Sequence, residues 1–551
     1  SPSAVGATVL KVTKLTDDAP GACTPSDCSL REAVIAANKT DVVETVKLGP
    51  GTHQLSIAGP DEDKAASGDV DITRPVKIVG TPGVTPTLID QTTNDRVLHV
   101  RGKGTLKLTA VNITGGTAFP RGGGILGDAN RKITLVRSAL TFNSATGNGG
   151  GGGIYTEGPL KMTDSFIFDN DTPFGGGGIT AIGANATIIR TGIFGNSAGG
   201  NDGHGGGGIN FQGPGTLTVV DSTVEANDTG GNGGGISARS FSVEGLAPFT
   251  MQRSTVANNT SGGSGGGLFI TKLNNQSTVF RIDDSTISDN SSNIAGGGIF
   301  CGCPSPAAEV THTTITDNTA DADNNHAPDF GEGDGGGIAG SGVQMEFLAS
   351  ILGDNHDIGS NPAFEDCGDF VAFSLGSNVT TEAGCFNNSE ATDATVGTLD
   401  FLDALDDNGG PTETHALDGT ATAVDRHVGE GCDGTDQRGV PRPVGAGCDS
   451  GAYEHVLCDE RVVDIVGTKG ADEITGTSGD DGILGLGGND KIDGGDGNDS
   501  VCGGGGNDKI AGGLGMDSLF GEKGDDKLDG GADIDGCDGG PGTDKIINCE
   551  A

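Results

Sequence analysis

GTKGADEIT, GTSGDDGIL, GLGGNDKID, GGDGNDSVC, GGGGNDKIA, GGLGMDSLF, GEKGDDKLD, GGADIDGCD and GGPGTDKII fill residues 467–547 as consecutive nonapeptides without a slip of register. The first position is Gly throughout, from Gly467 to Gly539. The sixth is Asp: Asp472, Asp481, Asp490, Asp499, Asp508, Asp517, Asp526, Asp535 and Asp544. The eighth is apolar or Cys, running from Ile474 through Val501 and Leu528 to Cys537 and Ile546. Glycine admits positive φ and close backbone approach, so each unit reads as a Gly-rich turn followed by a short strand. The eighth-position residues point inward as a thin core. The Asp carboxylates stack on successive coils beside exposed carbonyls, a cage of hard oxygens that suits Ca²⁺. These nine Asp are the candidate metal ligands. Stacked carboxylates repel one another, so metal binding is expected to supply the folding free energy of this segment. A flexible Gly/Asp linker would not keep an apolar residue at every ninth place.

The pattern resembles the RTX calcium-binding nonapeptide repeat, which implies a parallel β-roll with several bound Ca²⁺ ions. The eighth unit departs from it by placing Asp533 at the fourth position, where the other units have Gly.

Working back along the chain, residues 120–340 repeat a Gly cluster followed by an apolar anchor: Ile125, Ile154, Ile179, Ile209, Ile236, Leu268, Ile299 and Ile338. A second phrase, roughly S-T-[IV]-x-x-N, runs between them and closes on Asn143, Asn170, Asn196, Asn227, Asn259, Asn290, Asn318 and Asn355. Periods of this length mean stacked architecture. Each period holds short β-branched runs separated by Gly and Asn, which describes one rung of a right-handed parallel β-helix. Inward Ile and Val form columns, the repeated Asn stacks as a hydrogen-bonded ladder, and the glycines make the tight corner. Roughly ten to twelve rungs at about 4.8 Å each give a rod on the order of 50 Å. Leucine-rich and propeller readings fail for want of LxxLxL and Trp-Asp phrases. The phrases are similar to the polymorphic outer-membrane-protein repeat, a family of surface β-helices.

An open β-helix end exposes core and strand edges and needs a cover. In CSLREAVIAAN (28–38), Ser29 and Glu32 make a capping box, and Leu30, Ala33, Val34 and Ala37 share one helical face. This segment resembles the CSLREA start of secreted bacterial β-helix proteins. NGGPTETHAL (408–417), TDQRGVPRP (435–443) and CDSGAYE (448–454) resemble the C-terminal part of the choice-of-anchor family. They are expected at the other end of the rod, with Asp436 and Arg438 as a structural ion pair. The fold class is therefore all-β: a parallel β-helix with an N-terminal capping helix, then a calcium-binding β-roll. The expected divisions are a cap over 1–48, the β-helix over 49–400, its choice-of-anchor-like segment over 401–458 and the roll over 459–551.

Composition sets the limits. Net charge is −44, from 32 basic and 76 acidic residues, which opposes nucleic acid and anionic membranes as partners. Twelve Cys fall in close sequence pairs, Cys23/Cys28, Cys301/Cys303, Cys367/Cys385, Cys432/Cys448, Cys458/Cys502 and Cys537/Cys549. That suggests disulfides and an oxidising, extracellular setting, with zinc as the second reading. Cys301 and Cys303 are too close for a relaxed bridge and are expected to find other partners. No apolar run reaches a membrane span. Ser1 reads as a processed terminus.

A β-helix hydrolase needs paired carboxylates, and a lyase a Lys or Arg base. Gly203-His204-Gly205 and Asp283-Asp284 echo a glycosidase pair but fall rungs apart and in the wrong order. Arg31/Glu32 reads as part of the cap. Phrases for GxSxG, HExxH and phosphate-binding loops are absent. The leading reading is a secreted calcium-binding structural or adhesive protein, with self-association head-to-tail into a fibre or a cell-surface or matrix polysaccharide as partner. A polysaccharide lyase or epimerase ranks second, and a passive passenger with a calcium-triggered secretion module third.

Overall fold

The computed structural model describes residues 8–550 except 18–20, 60–63, 84, 201–204, 241–248, 273–279, 303–307, 323–334, 341–343, 359–364, 369–370, 430, 433, 445 and 460. Four parallel sheets make the rod. In rung order they are sheet I (10 strands, Val70–Ile72 to Ile338–Gly340), sheet II (13 strands, Val9–Lys11 to Val371–Gly376), sheet III (13 strands, Gly51–Leu55 to Ala394–Thr395) and sheet IV (9 two-residue strands, Thr117–Ala118 to His356–Asp357). One rung is Ile154–Thr156, Leu160–Thr163, Phe166–Phe168 and Asp171–Thr172.

The eight anchors pair in register from Ile125↔Ile154 to Ile299↔Ile338 and are buried in a single core. Register is strict because a slip of one residue would turn each apolar column outward. The glycine before each anchor has a steric reason. A Cβ on Gly178 would lie 2.8 Å from Gly208 O of the next rung and 3.0 Å from Ile167 Cγ2.

The Asn phrase forms the expected ladder. Each Asn donates its backbone N–H and its Nδ2 to Oδ1 of the Asn one rung on, as from Asn196 to Asn227 at 3.0 and 2.9 Å. The Nδ2 also donates to two carbonyls, Ile167 O and Phe194 O for Asn196, so every buried amide is satisfied. The series ends where Asn355 donates to the carboxylate of Asp366. A parallel Ser/Thr ladder runs through Ser138, Ser165, Thr191, Ser222, Ser254, Ser285, Thr313 and Ser350. It follows a corner residue with positive φ: Arg137, Asp164, Arg190, Asp221, Arg253 and Asp284 in successive rungs. Alternating signs pair across rungs, Arg190 to Asp164 and Arg253 to Asp221. Left-handed backbone at a residue with a Cβ costs about 1 kcal/mol, and these ladders offset it.

At the N-terminal end, the helix Leu30–Ala37 carries the capping box and buries Leu30, Ala33, Val34 and Ala37. Arg31 is buried too, paired with Asp17 and donating to the carbonyls of Ala65, Gly68 and Asp69, which makes it a structural residue.

The segment from Leu402 to Glu454 runs along the flank of the rod, where sequence reading expects an end cover. Gln437 inserts between rungs, bonding Thr255 and Thr286 at 2.8 Å each, while Ala452 N donates to Thr314 Oγ1. Arg438 and Asp436 form the expected buried pair at 2.9 Å. The flank accepts this strap because sheet III turns small polar residues outward there, whereas an earlier rung of the same sheet exposes Phe166 and the turn leaving it exposes Phe142. Disulfides join Cys23–Cys28, Cys367–Cys385, Cys432–Cys448, Cys458–Cys502 and Cys537–Cys549. Cys301 is disulfide-bonded as well and takes none of these ten as partner; the expectation for its pairing falls on Cys303, which lies outside the described residues.

Candidate metal centre

Two 5-stranded parallel sheets make the roll, with an 18-residue coil of two nonapeptides. Ile483, Ile492, Val501, Ile510, Leu519 and Leu528 fill a thin core between them. Cys458–Cys502 ties the second coil to the strand Leu457–Cys458 that follows the strap. The turn halves place the Asp residues along both edges. Each Asp donates its backbone N–H to Oδ1 of the Asp one coil on: Asp472 to Asp490, Asp481 to Asp499, Asp490 to Asp508, Asp499 to Asp517, Asp508 to Asp526, Asp517 to Asp535 and Asp526 to Asp544, at 2.8–3.0 Å. Asp535 N donates to Glu550 instead.

The second carboxylate oxygen behaves differently. Oδ2 of Asp490, Asp499, Asp508, Asp517, Asp526 and Asp535 is buried without any hydrogen-bond partner. An ionised carboxylate only accepts, so a row of them cannot satisfy itself. An orphaned buried acceptor costs about 1–3 kcal/mol, and more when charged. Burial pushes Asp499 and Asp508 up to about 6, against the pull of the amide each accepts. Asp472 and Asp481 escape this because Thr468 and Thr477 donate to their Oδ2. Asp544, at the end of its row, is half-buried.

The first-position glycines shape the space beside these oxygens. A Cβ on Gly494 would lie 2.5 Å from Asp499 Oδ2 and 2.7 Å from Gly512 O, so a carboxylate and a carbonyl face the same gap. Gly503, Gly512 and Gly521 repeat the arrangement with Asp508, Asp517 and Asp526. Among the described residues no three His, Cys, Asp or Glu side chains converge on one point. A cation here would therefore take backbone carbonyls alongside carboxylates, a hard all-oxygen set that fits Ca²⁺ and not zinc. Asp533 takes φ 80° in the eighth unit, a glycine-like conformation, and Asp535 keeps the common geometry.

The residues weighed for catalysis do not meet. His204 lies outside the described residues. Asp284 sits at a rung corner under the strap, 3.6 Å from Arg442, and burial pushes it up to about 7. Arg442 also pairs with Glu454 and donates to two carbonyls, so the cluster is a buried joint. What sequence reading missed is the division of the Asp row by Thr468 and Thr477, although both threonines sit visibly at the second position of their units.

Residues 464–490, 475–510, 503–537 and 511–546 match the RTX calcium-binding nonapeptide repeat family. No curated protein sequence matches the chain. Among solved structures, pectate lyase Pel9A is similar at 13% identity over 82% of this chain and 98% of its own, TM-score 0.42. The Dettilon tailspike protein is similar at 12% over 70% and 68%, TM-score 0.33. The A-module of Azotobacter vinelandii mannuronan C-5 epimerase AlgE6 is similar at 14% over 97% of each chain, TM-score 0.31.

Proposed function

We propose that the protein is a secreted, calcium-loaded structural or adhesive rod, with the sixth-position Asp residues as ligands and the span Asp490–Asp535 as the principal sites. The six orphaned Oδ2 atoms carry this reading, because a cation is the partner that a column of acceptors lacks. Bound Ca²⁺ supplies the positive charge; the chain's own residues supply spacing, through the amide bonds between coils, and room, through the first-position glycines.

Five disulfides between described residues and a net charge of −44 support an oxidising, extracellular site of action. Among the described residues no helix is long and apolar enough to cross a membrane. The CSLREA-like cap and choice-of-anchor-like strap fit a cell-surface rod, divided at about residues 48, 400 and 458 as the sequence suggests. Phe119, Phe142 and Phe166 are 77%, 62% and 53% exposed, apolar surface of the kind that supports attachment or self-association.

The test is calorimetric titration of the purified chain with CaCl₂, followed by electron microscopy with calcium and with chelator. Uptake of several ions, with fibres or large oligomers that dissolve on chelation, is the expected result. A chain that takes up no calcium overturns the proposal. Monodisperse rods in both conditions remove self-assembly and leave adhesion to be tested on polysaccharide surfaces.

A further inference from the structure

Between Val136 and His356, length variation in the rod is confined to the two edges of sheet I. From Val136 to His356 every connection from sheet II to III and from III to IV is two residues long, such as Arg137–Ser138 and Phe142–Asn143. Those turns carry the Ser and Asn ladders and cannot change length without breaking them. Among the described residues, the connection leaving sheet I is 157–159 in one rung and 128–132 in another, and that entering it is 119–124 in one and 146–153 in another. Variable connections on an invariant frame border the face where binding groups collect.

On that face a cavity of about 320 Å³ spans three rungs, lined by Arg121, Asn148, Tyr155, Thr180, Asn210 and Gln212. Tyr155, Thr180 and Asn210 pair in register, so their side chains form one outward column. Arg121 lies 4.3 Å over the Tyr155 ring and donates to Tyr155 Oη at 2.6 Å and to Glu157 Oε1 at 2.8 Å. The guanidinium is neutralised in place, so the cavity offers no net charge. Gln212 Nε2 donates to Asn210 Oδ1 at 3.1 Å. Among the described residues, Asn210 Nδ2 and Gln212 Oε1 carry no further hydrogen bond, which leaves a paired donor and acceptor at the cavity.

We infer that this cavity binds one or two residues of a neutral saccharide. Adjacent sugar hydroxyls, each both donor and acceptor, match the paired amides of Asn210 and Gln212 and the Arg121–Tyr155–Glu157 group. The volume lies near the small end of ligand cavities, roughly 300 Å³ upward. A polyuronate or a phosphate would meet no unpaired cation here and would approach a chain of net charge −44. The role is binding: Tyr155 Oη accepts from Arg121 and donates to Glu157 Oε1 at 3.2 Å, which holds the three side chains as one wall of the cavity.

Affinity electrophoresis of the full, calcium-loaded chain tests this, with gels containing mannan, xylan, β-glucan or galactan and a separate polyuronate gel. Retardation by at least one neutral glycan and none by the polyuronate is expected. The paired change Asn210→Ala with Gln212→Ala should weaken retardation at least tenfold. Asn148→Trp, at an exposed position on the rim, should do the same by filling the cavity while leaving the column intact. Retardation in chelator should match that in calcium, because the site is on the rod; this separates it from any failure of the roll. The inference is overturned if no neutral glycan retards the chain, if only the polyuronate does, or if either variant binds as wild type.

Discussion

The rod and the roll solve one stacking problem with side chains that differ by a single group. In both, a backbone N–H donates to Oδ1 of the residue directly above or below, Asn196 to Asn227 in the rod and Asp499 to Asp517 in the roll. In the rod the remaining atom is an NH₂, which donates to the next Oδ1 and to two carbonyls. In the roll, from Asp490 to Asp535, the remaining atom is an oxygen, which has nothing to accept from. An amide column closes on itself, whereas a carboxylate column needs a cation. The rod should stand without metal and the roll should not.

Chelation gives the largest effect that could break this contrast. Hydrogen exchange with and without calcium should show protection lost across residues 467–547 and kept along the Asn143–Asn355 ladder; a roll still protected in chelator would sink the comparison. Next comes Asn227→Asp, which writes the roll's chemistry into the rod. Asn227 loses three donated bonds and leaves a buried carboxylate oxygen unpaired, so denaturant unfolding should show a loss of about 3 kcal/mol. An unchanged midpoint would mean that the amide group is not what makes the rod metal-independent.

Gly512→Ala probes the room beside a carboxylate. Its Cβ would stand 2.2 Å from Asp517 Oδ2 and 2.5 Å from Gly530 O. Crowding of about 1–3 kcal/mol is expected, read as calcium affinity reduced about tenfold by calorimetry with the rod's melting unaltered. The smallest effect sits at the joint. Burial raises Asp284 to about 7, against an unfolded carboxyl near 3.9. The folded chain then holds more protons than the unfolded one between these values, so its stability contribution is present at low pH and falls as pH rises from about 4 to about 7. Asp284→Asn should flatten that part of the slope in melts from pH 4 to pH 8; an unchanged slope would assign it to Asp449 or Glu382, which burial also raises to about 7.

Much of the molecule was legible before any coordinate because stacking demands repetition. The Ile column, the Asn column, the corner glycines and the nine Asp each recur because translation by one coil returns the same environment. The helix Leu30–Ala37 was legible for another reason: its capping box and apolar face lie within one short stretch. The sequence by itself thus determined two solenoids, their polar columns and the calcium chemistry of the second. The tertiary structure alone decided where the strap lies, which Asp oxygens are left without a donor, and that Arg121, Tyr155 and Asn210 share a cavity. Those features arise once, between segments remote in the chain, and a contact made once leaves no period to read.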